Sequence, residues 1–203
     1  MHAGVAMEAA PACNRAMTTI TVARKNGQIA IAADRLTTFG DTRLSSKYEA
    51  NPKIFRVKDT WIGIAGSSAH HHVIENAFKK VEKPLFGNKV EIFDTMVCLH
   101  PLLKEHFFLN PKEEDDDPYE SSQYVMLLAN AGGIYGVYSY REVFAFDRFW
   151  AIGSGRAFAL GAMYASWDRA KSGREVAETG ANAGCEFDKN SAGPIAVHTI
   201  KAR

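Results

Sequence analysis

Cysteine and long hydrophobic runs are both scarce in this chain, and each scarcity excludes a class of protein. Among 203 residues there are three cysteines, Cys13, Cys98 and Cys185. They form no CxxC pair and no zinc-ligand spacing, so we expect free thiols in a reducing compartment. No apolar run reaches the roughly 18 residues of a membrane helix, and residues 1–16 lack the continuous apolar core of a secretion signal. These absences predict a cytoplasmic protein.

An excess of charge is also missing. Lys and Arg total 24 against 23 Asp and Glu, which leaves a formal net charge of +1. This balance gives no electrostatic reason to expect nucleic acid or an anionic membrane as a partner. The chain has no Walker-type phosphate-binding loop, so we do not expect it to bind ATP. Its length suits a single domain with a core of packed layers.

The clearest local signal is a hairpin between Thr18 and Asp34. Two alternating strands flank Asn26-Gly27, the dipeptide typical of a two-residue hairpin turn. Pairing of the strands returns Asp34 to the edge at which Thr18 lies. If the mature chain begins at Thr18, this residue has both a hydroxyl nucleophile and a free amine that can act as its base.

The remaining elements are expected to fall into separate runs of strands and helices. Strands are predicted at 53–57, 61–65, 124–130, 134–138, 144–146, 149–152 and 195–200, and helices at 69–81, at 91–109, after Gly155 and after Ser172. The first helix should face inward with Val73, Ala77 and Val81, and the third with Phe158, Gly161, Ala162 and Ala165. Residues 36–42 are interpreted as a polar loop. Consecutive histidines 70–72 point in different directions on a helix and do not favour a metal site. Because the predicted strands and helices fall into separate runs, the sequence predicts an α+β fold, here a four-layer α-β-β-α sandwich.

Several short motifs occur in one order along the chain. They are Thr18-Thr19-Ile20 before the hairpin, Asp34 at its end, Gly63-Ile64-Ala65-Gly66, Ala151-Ile152-Gly153-Ser154-Gly155, and Asp188 followed by Ser191. In this order they resemble the proteasome β-subunit family of N-terminal nucleophile hydrolases, close to the HslV-type peptidases and related bacterial proteasome homologues. The resemblance covers about residues 18–200 and implies the N-terminal nucleophile hydrolase fold.

The resemblance implies a set of catalytic residues. Thr18 would be the nucleophile and Asp34 its acidic neighbour, and Asp34 would orient a lysine, either Lys53 or, as the alternative, Lys47. A lysine cation there would lower the pKa of both the amine and the hydroxyl of Thr18. The backbone N–H of Gly66 would stabilise the oxyanion. Ser154, Asp188 and Ser191 would surround the amine. Without the resemblance, Ser154 is equally suited to a helix N-cap and Ser191 to a turn.

The resemblance also implies where substrate and ions bind. The positions that would line the substrate cleft are Thr37, Thr38, Asn51, Phe55, Ile64, Ser68 and His72. Thr38 would pair its backbone with an extended peptide, and the mixture of side chains predicts a broad, mildly apolar preference. No cofactor is expected to be required, but the backbone carbonyls of Cys185, Asp188 and Ser191 would be able to hold a structural monovalent or divalent cation.

The implied protein is a threonine endopeptidase that degrades unfolded polypeptides inside a stacked double ring. Rings of seven, giving a tetradecamer, are expected over rings of six, with a separate ATP-dependent unfoldase as partner. Residues 1–17 would be absent from the mature enzyme, either as a propeptide or as an upstream extension with Met17 as the initiator, which leaves 18–203 as one peptidase domain. The alternatives are a non-catalytic ring subunit and a small-molecule amidase of the same nucleophile class.

Overall fold

The computed structural model describes residues 17–39, 41–48, 52–111 and 118–203. Its strands are β1 Thr19–Lys25, β2 Gln28–Ala33, β3 Thr37–Phe39, β4 Thr42–Leu44, β5 Ile54–Val57, β6 Thr60–Ala65, β7 Val125–Asn130, β8 Gly133–Val137, β9 Val143–Phe146, β10 Phe149–Gly153 and β11 Ala196–Lys201. Its helices are α1 Ser68–Phe78, α2 Lys89–Phe107, α3 Arg156–Ser166 and α4 Gly173–Phe187. Within the described ranges, no helix is both long and apolar enough to cross a membrane.

Two antiparallel sheets stack face to face at the centre of the molecule. The first has the order β10-β1-β2-β11 and the second β5-β6-β7-β8-β9. Between them lies a buried core in which Ile20, Ile31 and Leu127 are fully buried. Both faces of each sheet are covered, which explains why these strands are nearly continuous apolar runs.

A pair of helices covers the outer face of each sheet. Ile74 of α1 and Leu99 of α2 pack with side chains of the second sheet in one hydrophobic cluster. Val176 and Ala177 of α4 pack against the first sheet, where the small side chain of Ala32 is one of several alanines. The order helix, sheet, sheet, helix confirms the predicted four-layer α-β-β-α sandwich.

The hairpin forms as predicted. β1 pairs with β2 from Ile20 opposite Ala33 to Lys25 opposite Gln28. Asn26 and Gly27 both have positive φ angles, 50° and 72°, as a two-residue type I′ turn requires. On its other side β1 pairs with β10. The start of β1 therefore lies between the end of β2 and the glycine-rich end of β10.

Some details of the predicted elements are wrong. The inward face of α1 has Ile74 and Phe78 fully or almost fully buried, whereas Val73 and Val81 are only partly buried at the margin of the core. In α3 the buried residues are Ala159 and Met163, and Phe158, Gly161 and Ala165 are exposed.

The inward face of α3 is decided by its neighbour α4. A Cβ on Gly180 of α4 would approach Met163 Cγ to 2.6 Å, so the two helices meet closely at this point. This contact with α4 turns Met163 inward, and the pattern of apolar residues within α3 does not predict it.

The predicted loop at 36–42 also contains a strand, β3, which pairs with β4. Pro101 lies inside α2 without ending it.

Candidate active site

Asp34, immediately after β2, is the most heavily hydrogen-bonded side chain of the site. It is completely buried. Its Oδ1 accepts hydrogen bonds from Thr18 Oγ1 at 2.6 Å and from the Thr19 backbone N–H at 2.9 Å. Its Oδ2 accepts from the backbone N–H groups of Leu36 at 2.9 Å and Ala192 at 3.3 Å. A carboxylate is tolerated at such a depth only when its charge is compensated and its oxygens are satisfied.

Lys53 compensates that charge. Its Nζ lies 2.9 Å from both Asp34 oxygens, and its side chain is 6% exposed. Burial lowers the pKa of Lys53, and the attraction of Asp34 opposes this shift. Lys53 Nζ also donates to the Met17 carbonyl at 3.2 Å. Lys47, the alternative candidate, is exposed in a turn, so the structure brings Lys53 to Asp34.

Ser154, Asp188 and Ser191 form a second group, beside the backbone nitrogen of Thr18. The Thr18 backbone nitrogen donates to Ser154 Oγ at 3.2 Å. Ser154 Oγ and Ser191 Oγ both donate to Asp188 Oδ2, at 2.6 and 2.7 Å. Ser191 Oγ also lies 2.8 Å from Thr19 Oγ1. The N-cap of α3 is Gly155, without a side-chain hydrogen bond, so Ser154 does not cap this helix.

Glycines make room for the two threonines. A Cβ on Gly153, which has φ of +95°, would collide with the Thr18 carbonyl, and a Cβ on Gly155 would collide with Thr19 Oγ1. Gly184 of α4 packs in the same way against the Thr19 side chain. Sequence reasoning did not single out Gly184. The available signal is its spacing from Gly180, since residues four apart share one helix face.

A small cavity of about 40 Å³ opens beside Thr18. Its walls are formed by Met17, Thr18, Leu36, Thr37, Thr38, Lys53, Ile64, Gly66, Ser68 and His71. Thr37, Thr38, Ile64 and Ser68 are therefore brought together with the nucleophile candidate and with Gly66.

Two other predicted substrate positions, Phe55 and His72, are not in the wall of this cavity. Phe55 is buried in the core, with its ring centroid 6.2 Å from that of Phe78. His72 is exposed on α1, and Asn51 lies outside the described residues. Sequence reasoning missed His71, which is 8% exposed and lines the cavity. Its signal is helical spacing, because residue 71 shares a face with Ile74 and Phe78.

His71 is held in its neutral form. Burial lowers its pKa to about 4, and the nearby positive charge of Lys53 adds to the shift. Its Nδ1 is buried without a hydrogen-bond partner. The neighbouring His70 packs its own Nδ1 against Gly66, where a Cβ would approach this nitrogen to 2.8 Å.

The residues of the predicted cation site lie at the end of α4 and in the turn that follows it. Cys185 lies in the last turn of this helix, where unpaired carbonyls favour positive charge. The Asp188 carbonyl accepts a hydrogen bond from the Ser191 N–H at 3.0 Å, which leaves one of its lone pairs for an ion. Among the described residues, no group of three or more His, Cys, Asp or Glu side chains is placed to hold a metal.

Burial raises the pKa of the Cys185 thiol to about 12, so this thiol is not a competing nucleophile at neutral pH.

Comparison with solved structures finds similar chains. A bacterial proteasome homologue from Thiobacillus denitrificans in complex with epoxomicin is 38% identical with a TM-score of 0.85, over 92% of this chain and 100% of that chain. A second structure of that protein is 39% identical at a TM-score of 0.85, over 92% and 99%. HslV from Trypanosoma brucei is 22% identical at a TM-score of 0.64, over 91% and 99%, a likeness of fold. Neither a protein-family model nor a curated protein matches the chain.

Proposed function

This chain belongs to the proteasome β-subunit and HslV-type family of N-terminal nucleophile hydrolases, and from that premise we propose that it is a threonine endopeptidase. It cleaves unfolded polypeptides through an acyl-enzyme on Thr18. The observation that carries the proposal is the pair of contacts made by this one residue. Its hydroxyl touches Asp34, which holds Lys53, and its nitrogen touches Ser154, which is held by Asp188.

The first step is activation of the hydroxyl. When the chain is cut before residue 18, the Thr18 nitrogen becomes an α-amino group with a pKa near 8. This amine takes the hydroxyl proton as general base, and Ser154 keeps it oriented. Lys53 contributes a buried positive charge, which favours the neutral form of the amine and the negative charge that develops on the oxygen.

Acyl transfer then follows the usual course for a hydroxyl nucleophile. Thr18 Oγ1 attacks the peptide carbonyl carbon, the amine returns its proton to the leaving nitrogen, and the acyl-enzyme remains. Gly66 lies in the wall of the same cavity, and its N–H is proposed to stabilise the tetrahedral oxyanion, an interaction worth about 3 kcal/mol in other acyl-transfer enzymes. Water activated by the amine completes hydrolysis.

The family membership supports a ring assembly. We propose a cytoplasmic stacked double ring with seven subunits per ring, active sites facing an inner chamber, and a separate ATP-dependent unfoldase that delivers polypeptide. Substrate is proposed to bind as an extended strand along Thr37 and Thr38. A structural cation on the carbonyls of Cys185, Asp188 and Ser191 would stabilise the loop that presents Asp188, without a part in the chemistry.

Substitution of Thr18 tests the proposal. Protein whose chain begins at residue 18 is incubated with fluorogenic peptides, alongside Thr18→Ala and Thr18→Ser produced in the same way. Thr18→Ala should lower kcat by at least about a thousandfold because the nucleophile is gone, while Thr18→Ser should retain measurable turnover. Hydrolysis by Thr18→Ala at the wild-type rate would show that the nucleophile lies elsewhere.

A further inference from the structure

The cavity beside Thr18 contains a wall residue that the proposed catalysis does not use, His71. The residue is 8% exposed, and its Nδ1 is buried without a hydrogen-bond partner. A buried polar atom left unpaired costs on the order of 1–3 kcal/mol. A molecule that enters the cavity and donates a hydrogen bond to this nitrogen recovers that cost.

The ring is neutral and its tautomer follows from its contacts. Against the larger effect of burial, a backbone interaction with Ile64 raises the pKa of His71, as a carbonyl oxygen that accepts an imidazole N–H does, and we assign the ring N–H on this basis. Since the unpartnered nitrogen is Nδ1, that N–H belongs to Nε2. A neutral imidazole has one donor and one acceptor, so His71 Nδ1 presents a lone pair.

Met17 indicates which part of a substrate reaches this cavity. In the uncut chain its carbonyl directly precedes Thr18 and lies 3.2 Å from Lys53 Nζ, and the residue lines the cavity. In an acyl-enzyme the substrate residue bonded to Thr18 Oγ1 likewise presents its carbonyl to this nucleophile. Its side chain therefore enters the region that Met17 leaves when the chain is cut.

We propose that His71 is a specificity-determining residue that accepts a hydrogen bond at Nδ1 from the side chain of the acyl-forming substrate residue. The favoured side chains are neutral donors that can reach it, above all the carboxamide of glutamine. This inference rests on the proposed peptidase function and refines the broad, mildly apolar preference expected from the sequence.

A pair of matched substrates tests the inference in the unmodified enzyme. Two fluorogenic peptides differ only in the residue before the reporter, which is glutamine in one and the γ-methyl ester of glutamate in the other. The ester keeps the carbonyl and nearly the same size but has no N–H to donate. Wild-type kcat/KM should be about fivefold higher for the glutamine peptide, as one neutral hydrogen bond provides. Equal values would overturn the inference.

Variants on α1 provide the second arm. His71→Leu should reduce the glutamine-to-ester ratio to about one, and His71→Asn should retain most of it, since the asparagine side-chain oxygen replaces the acceptor. His72→Leu, a substitution at an exposed position on the same helix, should leave the ratio unchanged. A wild-type ratio in an active His71→Leu enzyme would also overturn the inference.

The two proposals fail in different ways. If wild type hydrolyses both peptides without preference, the peptidase function stands and His71 has no part in selection. If protein that begins at Thr18 hydrolyses neither peptide, the proposed function fails, and the inference fails with it.

Discussion

Asp34 shows how much one residue organises at the site. Its two oxygens accept from the hydroxyl of Thr18, from the amine of Lys53 and from several backbone N–H groups. Because Asp34 is completely buried, loss of any charged partner leaves an unsatisfied charge. The geometry of the proposed reaction and the stability of the fold therefore both depend on this residue. For substitutions here, both the rate of peptide hydrolysis and the free energy of unfolding must be measured.

Lys53→Ala is the substitution that separates the two lysine candidates. It removes the partner of a buried carboxylate, so kcat should fall by at least about a hundredfold and the free energy of unfolding by about 3–5 kcal/mol. Lys47→Ala changes an exposed residue and should leave both unchanged. Peptide hydrolysis and chemical denaturation on both variants check this. Loss of activity in Lys47→Ala, with Lys53→Ala unaffected, would reverse the assignment.

His71 should make the fold sensitive to acid. Its pKa is lowered to about 4 in the folded chain by burial and by Lys53, with smaller contributions from His70 and His72, whereas an unfolded histidine titrates near 6.5. Its contribution to stability is therefore present above pH 6.5 and is lost as the pH falls through 4. The loss approaches about 3 kcal/mol, at about 1.4 kcal/mol per pKa unit.

The measurement is chemical denaturation from pH 7 to pH 4 at fixed protein concentration. His71→Asn should lose less stability than wild type over this interval, and His72→Asn should follow wild type. Parallel curves for wild type and His71→Asn would contradict the prediction.

Residues near the hairpin are the ones that sequence alone places well. A two-residue turn at Asn26-Gly27 returns the chain to its start, so the nearness of Thr18 and Asp34 follows from local geometry. His71 could not be chosen over His72 in the same way. The choice depends on which face of α1 meets the sheet, and the buried Ile74 decides that face through contacts with α2 and the second sheet.

At the scale of elements, β1 is the strand that joins the two halves of the site. It pairs with β2 on one side, which delivers Asp34, and with β10 on the other, which delivers Ser154. Apart from β3 and β4, the strands and helices could be predicted because their patterns are local. The position of α4 over the start of β1 could not be predicted, because it depends on a close approach of Gly184 to Thr19. In the sequence this approach is indicated only by the four-residue spacing between Gly180 and Gly184.

Gly184→Ala tests that approach. The added methyl group meets the Thr19 side chain, so either α4 or the start of β1 must move. We expect kcat to fall at least about tenfold, since displacement of a nucleophile by about 1 Å is costly, together with a loss of about 1–3 kcal/mol in stability. Gly161→Ala is the matched control in a helix, because a Cβ there has no neighbour within 4 Å.

The control variant Gly161→Ala should show neither the loss of kcat nor the loss of stability. Alanine is the better helix former by about 1 kcal/mol, so Gly161→Ala should keep wild-type activity and equal or greater stability. Gly184→Ala with both activity and stability unchanged would mean that α4 does not constrain Thr19.

At the scale of the whole molecule, the uncut chain cannot carry out the proposed reaction. The Thr18 nitrogen follows the Met17 carbonyl, and an amide nitrogen is not a base at neutral pH. Removal of residues 1–17 converts it to an amine without the need to move Ser154, which is already within hydrogen-bond distance at 3.2 Å. The sandwich thus already has the arrangement that the proposed reaction needs, and in this proposal cleavage of the peptide bond before Thr18 is the event on which activity depends.

Mass spectrometry on the purified protein tests this dependence. The intact mass should correspond to a chain that begins at Thr18, and under native conditions the particle should contain fourteen copies, as the proposed double ring of seven requires. Thr18→Ala separates two routes to the new terminus. Residues released through the Thr18 hydroxyl, in a step that does not use the amine, persist in this variant, whereas residues removed by another enzyme, including an initiator Met17, are still lost. Active protein that retains Met17 would contradict the mechanism, and a particle of twelve copies would correct the ring to six while leaving the chemistry intact.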